Sequence, residues 1–87
     1  MWPVVPHGAT AVEVPKLGLG VTSVRILQIN KRPGDHVVAG EPLVELSTDK
    51  ADVELASAIA GVVTEVYVKK HDDVPVSFPI LTIRRQP

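Results

Sequence analysis

Lys50 stands at the centre of a mirrored pattern of small, apolar and acidic residues within residues 44–55. If Asp49 and Lys50 form a turn, the flanking residues pair across two antiparallel strands. Side chains alternate between the two faces of a strand, so the apolar pairs fall on one face and the carboxylates on the other. The predicted pairs are Thr48 with Ala51, Ser47 with Asp52, Leu46 with Val53, Glu45 with Glu54, and Val44 with Leu55. An amine presented at such a tip is accessible to another protein, which can acylate it and remove its charge.

A simpler interpretation of Lys50 is a solvated charge in an exposed turn. Its own chemistry is limited, because a Schiff-base lysine needs a lowered pKa, whereas this one lies between Asp49 and solvent. The turn also lacks the glycine of the favoured hairpin turns. We therefore expect the sheet behind the turn, more than the turn itself, to hold it.

The tip residues Thr48-Asp49-Lys50-Ala51 resemble the lipoylation motif of lipoyl domains, the carrier domains of 2-oxo acid dehydrogenase complexes. Further segments are similar to this family in the same order, and the resemblance runs from about residue 11 to residue 84. These segments are residues 14–18, 33–37, 40–43 and 60–63. The departures from the family pattern fall in turns and strand entries, at Val24, Ala56, Ala58, His71 and Ser77.

The resemblance implies that Lys50 carries lipoic acid in an amide bond, with Asp49 and Ala51 recognised by the ligase. It also implies that Leu17, Gly18 and Leu19 contact partner enzymes. The domain would be a non-catalytic carrier, a swinging arm that moves acyl groups and reducing equivalents between active sites. Its partners would be a lipoate ligase or lipoyl transferase, a 2-oxo acid decarboxylase, an acyltransferase core and dihydrolipoamide dehydrogenase. The compartment would be the cytoplasm of a bacterium or the mitochondrial matrix of a eukaryote.

Two alternatives remain open for a domain with this hairpin. A biotin carrier shares the fold and the lysine, but its pattern places methionine on both sides of that lysine, and here Asp49 and Ala51 flank it. The other alternative is an unmodified structural sandwich.

An internal repeat predicts the architecture. Residues 24–46 align with residues 61–83 without a gap and keep most of their apolar positions. Three identities support the alignment: Asp35 with Asp72, Val37 with Val74, and Pro42 with Pro79. Two similar β units that cannot bury an apolar face alone predict a pseudo-twofold sandwich. We expect an all-β flattened barrel of two four-stranded antiparallel sheets, without a helix.

Length and composition agree with a single small domain. The 87 residues include no cysteine, which excludes disulfides and thiolate metal sites. A net charge of −1 with one Trp, one Tyr and one Phe disfavours a nucleic-acid surface. No segment is apolar over the length that a membrane span needs. We expect residues 1–10 to be a flexible leader or expression remnant, residues 11–84 the domain, and residues 85–87 the start of a linker.

Other residue groups with chemical potential have simpler explanations. His7, His36 and His71 lack the spacing of a metal motif, so we expect no metal site. Asp72 and Asp73 are expected to be solvated in a turn. The segment from Gly18 to Gly20 lacks the third glycine and the helix of a phosphate-binding loop.

We predict that Lys50 is the sole lipoylated lysine of the five in the chain. The hairpin register leaves Lys16, Lys31, Lys69 and Lys70 away from the symmetric tip. Lys50→Arg should therefore keep the fold and lose all modification, as read by intact mass and peptide mapping. A lipoyl group on any other lysine would contradict the prediction.

Overall fold

Short strands separated by turns make up the chain, as its Val-rich runs between Pro and Gly residues predict. The computed structural model describes residues 2–18 and 20–86. The strands are β1 (Thr10–Glu13), β2 (Ser23–Ile29), β3 (His36–Val37), β4 (Pro42–Ser47), β5 (Asp52–Ala56), β6 (Gly61–Val66), β7 (Asp73–Pro75) and β8 (Pro79–Arg85).

The strands form two four-stranded antiparallel sheets, with orders β1-β8-β6-β3 and β5-β4-β2-β7. The predicted fold class is confirmed. The described residues contain no helix, and hence none long and apolar enough to cross a membrane. The molecule measures 38 × 27 × 21 Å, with a radius of gyration of 12.4 Å.

The core lies between the inner faces of the two sheets. Apart from Val14, its buried apolar residues come from both halves of the repeat, which explains why the alignment keeps their character. They are Val14, Val24, Ile26, Val37, Leu43, Val44, Leu46, Val63, Val68, Val74, Ile80, Leu81 and Ile83.

The two halves of the repeat exchange their short strands. β3 of the first half pairs with β6 of the second, and β7 of the second half pairs with β2 of the first. Turn residues at equivalent positions of the two halves add further hydrogen bonds between the halves. Gly34 donates its N–H to the carbonyl of Val63, and His71 donates its N–H to that of Ile26, both at 2.7 Å. Each sheet therefore contains strands from both halves, and neither sheet is complete without the other half.

Register shifts also repeat between the halves. The β2–β4 ladder shifts at Leu27, and the β6–β8 ladder shifts at the equivalent Thr64. A second pair of shifts falls at Leu43 in β4 and at Ile80 in β8. A shift interrupts the alternation of side chains, and consecutive residues can then point inward. Leu43 and Val44 are accordingly both fully buried.

Among the described residues, two that are not glycine adopt positive φ, and both stand where the first half has glycine. His71 has φ 78° and Ser77 has φ 74°, while their counterparts Gly34 and Gly40 have φ 95° and 88°. Side chains bearing a Cβ are strained in this region. These are the positions at which the sequence departs from the glycines of the family pattern, so the departures keep the backbone shape at an energetic cost.

Gly61 is required by close packing rather than by its φ. A Cβ at this position would lie 2.7 Å from Cγ2 of Ile83 and closer still to the carbonyl oxygen of Arg84. Both atoms belong to β8, the neighbouring strand in the sheet. The start of the second half therefore depends on a glycine.

The regular structure extends slightly beyond the predicted range 11–84, because β1 starts at Thr10 and β8 ends at Arg85. The neighbouring strands offer pairing partners to Thr10 and Arg85. The domain boundaries stay a prediction. Within the predicted leader, the Trp2 ring packs edge-on against Phe78 with centroids 5.1 Å apart. Residues 1, 19 and 87 lie outside the described residues.

We predict that His71→Gly stabilises the domain by about 0.5–1 kcal/mol. Relief of the left-handed backbone strain outweighs the added entropy of the unfolded chain. The melting temperature should rise by roughly 2–5 °C. Lys70→Gly is the matched control, because this neighbouring exposed residue has no positive φ, and it should lower the melting temperature. A fall for His71→Gly would show that its side chain makes a contact worth more than the strain.

Candidate functional site

The β4–β5 hairpin has the register that the sequence predicts. The ladder pairs Ser47 with Asp52, Leu46 with Val53, Glu45 with Glu54, and Val44 with Leu55. Leu46 and Val44 are fully buried, and Val53 and Leu55 are half-buried on the same face. The carboxylates of the hairpin lie on the opposite, wetter face. The apolar face therefore fixes the hairpin on the core and leaves its tip outside.

The hydroxyl of Thr48 organises the tip. Its Oγ1 accepts the backbone N–H of Lys50 at 3.2 Å and that of Ala51 at 3.1 Å, and it donates to the carbonyl of Ala51 at 2.9 Å. The backbone N–H of Thr48 also donates to the carbonyl of Ala51, at 2.9 Å. These bonds fix the backbone on both sides of Lys50.

The tip needs no glycine because neither of its central residues has positive φ. Within the described residues, the non-glycine residues with positive φ are His71 and Ser77. The sequence-based expectation that mainly the sheet holds this turn was wrong in part, because Thr48 supplies hydrogen bonds of its own. Threonine hydroxyls commonly bond to nearby backbone in turns, so a signal for this role was present in the sequence.

Lys50 projects from the tip into solvent. Asp49, Lys50 and Ala51 are all exposed, with Lys50 between a carboxylate and a methyl group. In the described part of the chain the ion pairs are Arg25–Asp73 and Lys31–Glu41, and Lys50 takes part in neither. Its amine is therefore sterically open to a modifying enzyme.

The loop after β1 lies beside the hairpin. A groove of about 400 Å³ separates residues 20–25 from residues 47–49. Asp73 and Arg25 also line it and form a two-bond ion pair at 2.9 and 3.1 Å. The hydrogen bonds from Arg25 lower the pKa of Asp73, which keeps this carboxyl charged. The loop and the lysine tip thus form one continuous surface.

The three residues proposed for partner contact differ in their placement. Leu17 is half-buried and packs against the core. Gly18 is exposed in the loop. Leu19 lies outside the described residues. Their role in partner recognition stays a prediction.

Asp72 has a structural role in a turn. Asp72 accepts the backbone N–H of Lys69 at 2.8 Å, and its counterpart Asp35 accepts that of Arg32 at 2.9 Å. The aspartate that the two halves of the repeat share, Asp35 in the first and Asp72 in the second, therefore forms an equivalent turn in each half. Among residues 2–18 and 20–86, no cluster of three or more His, Asp and Glu side chains could hold a metal ion.

Comparison with known sequences identifies the family. The model described as "Biotin-requiring enzyme", which covers biotinyl and lipoyl domains, matches residues 10–83. The chain belongs to the biotinyl/lipoyl domain family. The predicted resemblance is thus confirmed.

Acyltransferase components of 2-oxo acid dehydrogenase complexes are similar over most of the chain. The chain is 43% identical over 81 residues to the dihydrolipoyllysine-residue acetyltransferase component of the pyruvate dehydrogenase complex of Corynebacterium glutamicum, covering 93% of this chain and 12% of that protein. It is 43% identical over 72 residues to the dihydrolipoyllysine-residue succinyltransferase component of the 2-oxoglutarate dehydrogenase complex of Bacillus subtilis. That match covers 83% of this chain and 17% of the relative, so the chain spans less than a fifth of either protein.

Two solved structures share the fold. The lipoyl domain of the 2-oxoglutarate dehydrogenase complex of Azotobacter vinelandii matches with a TM-score of 0.68 and 24% identity, over 87% of this chain and 95% of that one. A single-chain, multi-domain long-chain acyl-CoA carboxylase matches with a TM-score of 0.80 and 21% identity, over 98% of this chain and 8% of that one. At these identities both likenesses concern the fold alone, because a biotinyl and a lipoyl domain share it.

We predict that Thr48→Val slows the lipoylation of Lys50 while Thr48→Ser preserves it. Valine keeps the shape of threonine but removes all three hydroxyl bonds, a loss of about 1 kcal/mol at the tip. Amide hydrogen exchange at Lys50 and Ala51 should accelerate by roughly fivefold in Thr48→Val, with core amides such as that of Ile83 unchanged. Equal modification rates in all three proteins would show that the modifying enzyme does not require a fixed tip.

Proposed function

We propose that this chain is a lipoyl carrier domain of the acyltransferase component of a 2-oxo acid dehydrogenase complex. The observation that carries the proposal is the placement of Lys50, exposed at the centre of a hairpin tip whose backbone Thr48 holds. Asp49 precedes the lysine and the small Ala51 follows it, as in the motif that lipoyl domains carry. The acyltransferase relatives support the same assignment.

The surroundings of Lys50 fit an amide-linked lipoyl group. The exposed amine has no carboxylate partner among the described residues that acylation would leave unpaired. When bound, lipoic acid supplies a dithiolane that exchanges acyl groups and electrons through thiol–disulfide chemistry. The chain itself presents the attachment point and contributes no catalytic group. Tethering raises the effective concentration of the carried group at a neighbouring active site to roughly millimolar.

The proposed partners follow from this role. They are a lipoate ligase or lipoyl transferase, a 2-oxo acid decarboxylase, an acyltransferase core and dihydrolipoamide dehydrogenase. Both pyruvate and 2-oxoglutarate complexes occur among the relatives, so either substrate suits the domain. The proposed compartment is the cytoplasm in a bacterium or the mitochondrial matrix in a eukaryote.

A biotin carrier is the second candidate, because it shares the fold and the hairpin lysine, and the matching family model covers biotinyl as well as lipoyl domains. The residues beside the lysine argue against it. Asp49 and Ala51 occupy the positions at which biotin carriers place methionine, and Met1 is the sole methionine of the chain.

Intact mass after incubation with each modifying enzyme tests the proposal. We expect one lipoyl increment with a lipoate ligase and none with a biotin ligase. A biotinyl increment would support the second candidate, and no increment with either enzyme would support a structural sandwich. The lipoylated domain should then gain an acyl group when incubated with pyruvate or 2-oxoglutarate and the matching decarboxylase.

A positional variant distinguishes a specific site from mere exposure. The double substitution Asp49→Lys with Lys50→Asp keeps the composition and moves the amine by one residue. The Thr48 network bonds to the backbone of the tip, so it remains available in this variant. Lipoylation should fall sharply, with the fold checked by circular dichroism. Unaltered lipoylation would show that the ligase reads exposure alone.

A further inference from the structure

Two adjoining grooves extend from the lysine hairpin across the loop that follows β1. The first is the polar groove of about 400 Å³ beside residues 47–49, and hydroxyl side chains line it. These are Thr22, Ser23, Ser47 and Thr48. The second groove, of about 670 Å³, is lined by Lys16, Gly18, Val21, Thr22 and Val76. Because Val21 and Thr22 line both, the two grooves are continuous.

The walls of the second groove are held by backbone hydrogen bonds. Val76 donates its N–H to the carbonyl of Thr22 at 3.1 Å, and Val21 donates its N–H to that of Gly18 at 3.4 Å. Val21 and Val76 are half-buried and pack against the core, so their remaining exposed surface faces outward. The groove is thus preformed and largely apolar at its base.

We propose that these grooves bind the lipoyl arm of Lys50 while it is not in the active site of a partner enzyme, an inference that rests on the proposed function. A lipoyl arm is polar at its amide, next to the lysine, and apolar along its hydrocarbon chain and dithiolane ring. The grooves follow the same order outward from the tip, with hydroxyls beside Thr48 and valines beyond Thr22. The amide would meet the polar groove, and the apolar end would cover Val21 and Val76.

Tethering allows a weak site to be occupied. A flexible attachment gives an effective concentration of roughly millimolar, so a groove that binds free lipoamide with a Kd of about 1 mM would hold the arm about half of the time. Half-occupancy would shelter the dithiolane while leaving it available to a partner. Because the same loop is expected to contact partner enzymes, a partner that binds the loop would also displace the arm from the groove.

The first test uses free lipoamide and the unmodified domain, and therefore needs no ligase. We expect lipoamide at millimolar concentration to shift the NMR resonances of Val21, Thr22 and Val76, with a Kd of about 1 mM. Val76→Thr keeps the shape of the side chain but adds a hydroxyl to the apolar wall, and it should weaken binding severalfold. Val38→Thr is the matched control, because Val38 is 63% exposed and lines neither groove.

The second test compares Lys50 carrying a lipoyl group with Lys50 carrying an acetyl group. Both forms lose the same charge, but only the first has an arm. We expect nuclear Overhauser contacts from the arm to the methyl groups of Val21 and Val76 in the lipoylated form, reduced in Val76→Thr.

The two proposals fail separately. Identical spectra for the lipoylated and acetylated forms beyond Asp49 and Ala51, or no lipoamide binding at Val21 and Val76, would overturn the binding of the arm in the grooves and leave the carrier function intact. A domain that lipoate ligase does not modify would overturn the carrier function, and the binding of the arm with it.

Discussion

The exchange of short strands between the two halves is the constraint on which the rest of the structure depends. β3 completes the sheet built on β6, and β7 completes the sheet built on β2. Without this exchange, the backbone groups that Gly34 and His71 satisfy on Val63 and Ile26 would lack their partners, and buried unpaired backbone groups are costly. Each half would also expose its apolar face. The two halves therefore have to fold together, and they form one rigid platform.

The two sheets fix the position of the lysine hairpin. β4 lies inside its sheet, between β5 and β2, and its inward residues Val44 and Leu46 are fully buried. Only the last few residues of the hairpin extend beyond the core, and the Thr48 hydroxyl fixes their backbone. A functional side chain on a turn is usually less precisely placed than one on a strand. Here the turn is short enough, and bonded well enough, that Lys50 is presented at a defined point.

The sequence predicted the parts of this structure that depend on local alternation. The hairpin register followed from the single arrangement that keeps Val44 and Leu46 together and the carboxylates outside. The strand exchange was not predictable in this way, because alternation within a strand says nothing about which distant strand lies beside it. The number of hydrogen bonds that Thr48 makes was not predictable either, because it depends on the backbone angles of the tip. The partial burial of Leu17 likewise depends on how the loop after β1 packs over the core. Family resemblance contributed the proposed chemical role of Lys50, which the composition of its surroundings alone left open.

The outermost strands of the two sheets have a consequence for the behaviour of the protein at high concentration. β3 has two residues, β7 has three and includes Pro75, and β5 carries Asp52 and Glu54. Open sheet edges are templates for the addition of a strand from another copy, and short, proline-containing or charged edges resist it. Three of the four sheet edges are therefore protected against edge-to-edge aggregation, and the fourth, β1, is a short strand of four residues that ends at Glu13. Such protection suits the proposed carrier function, in which the domain would be crowded beside identical copies around a large assembly.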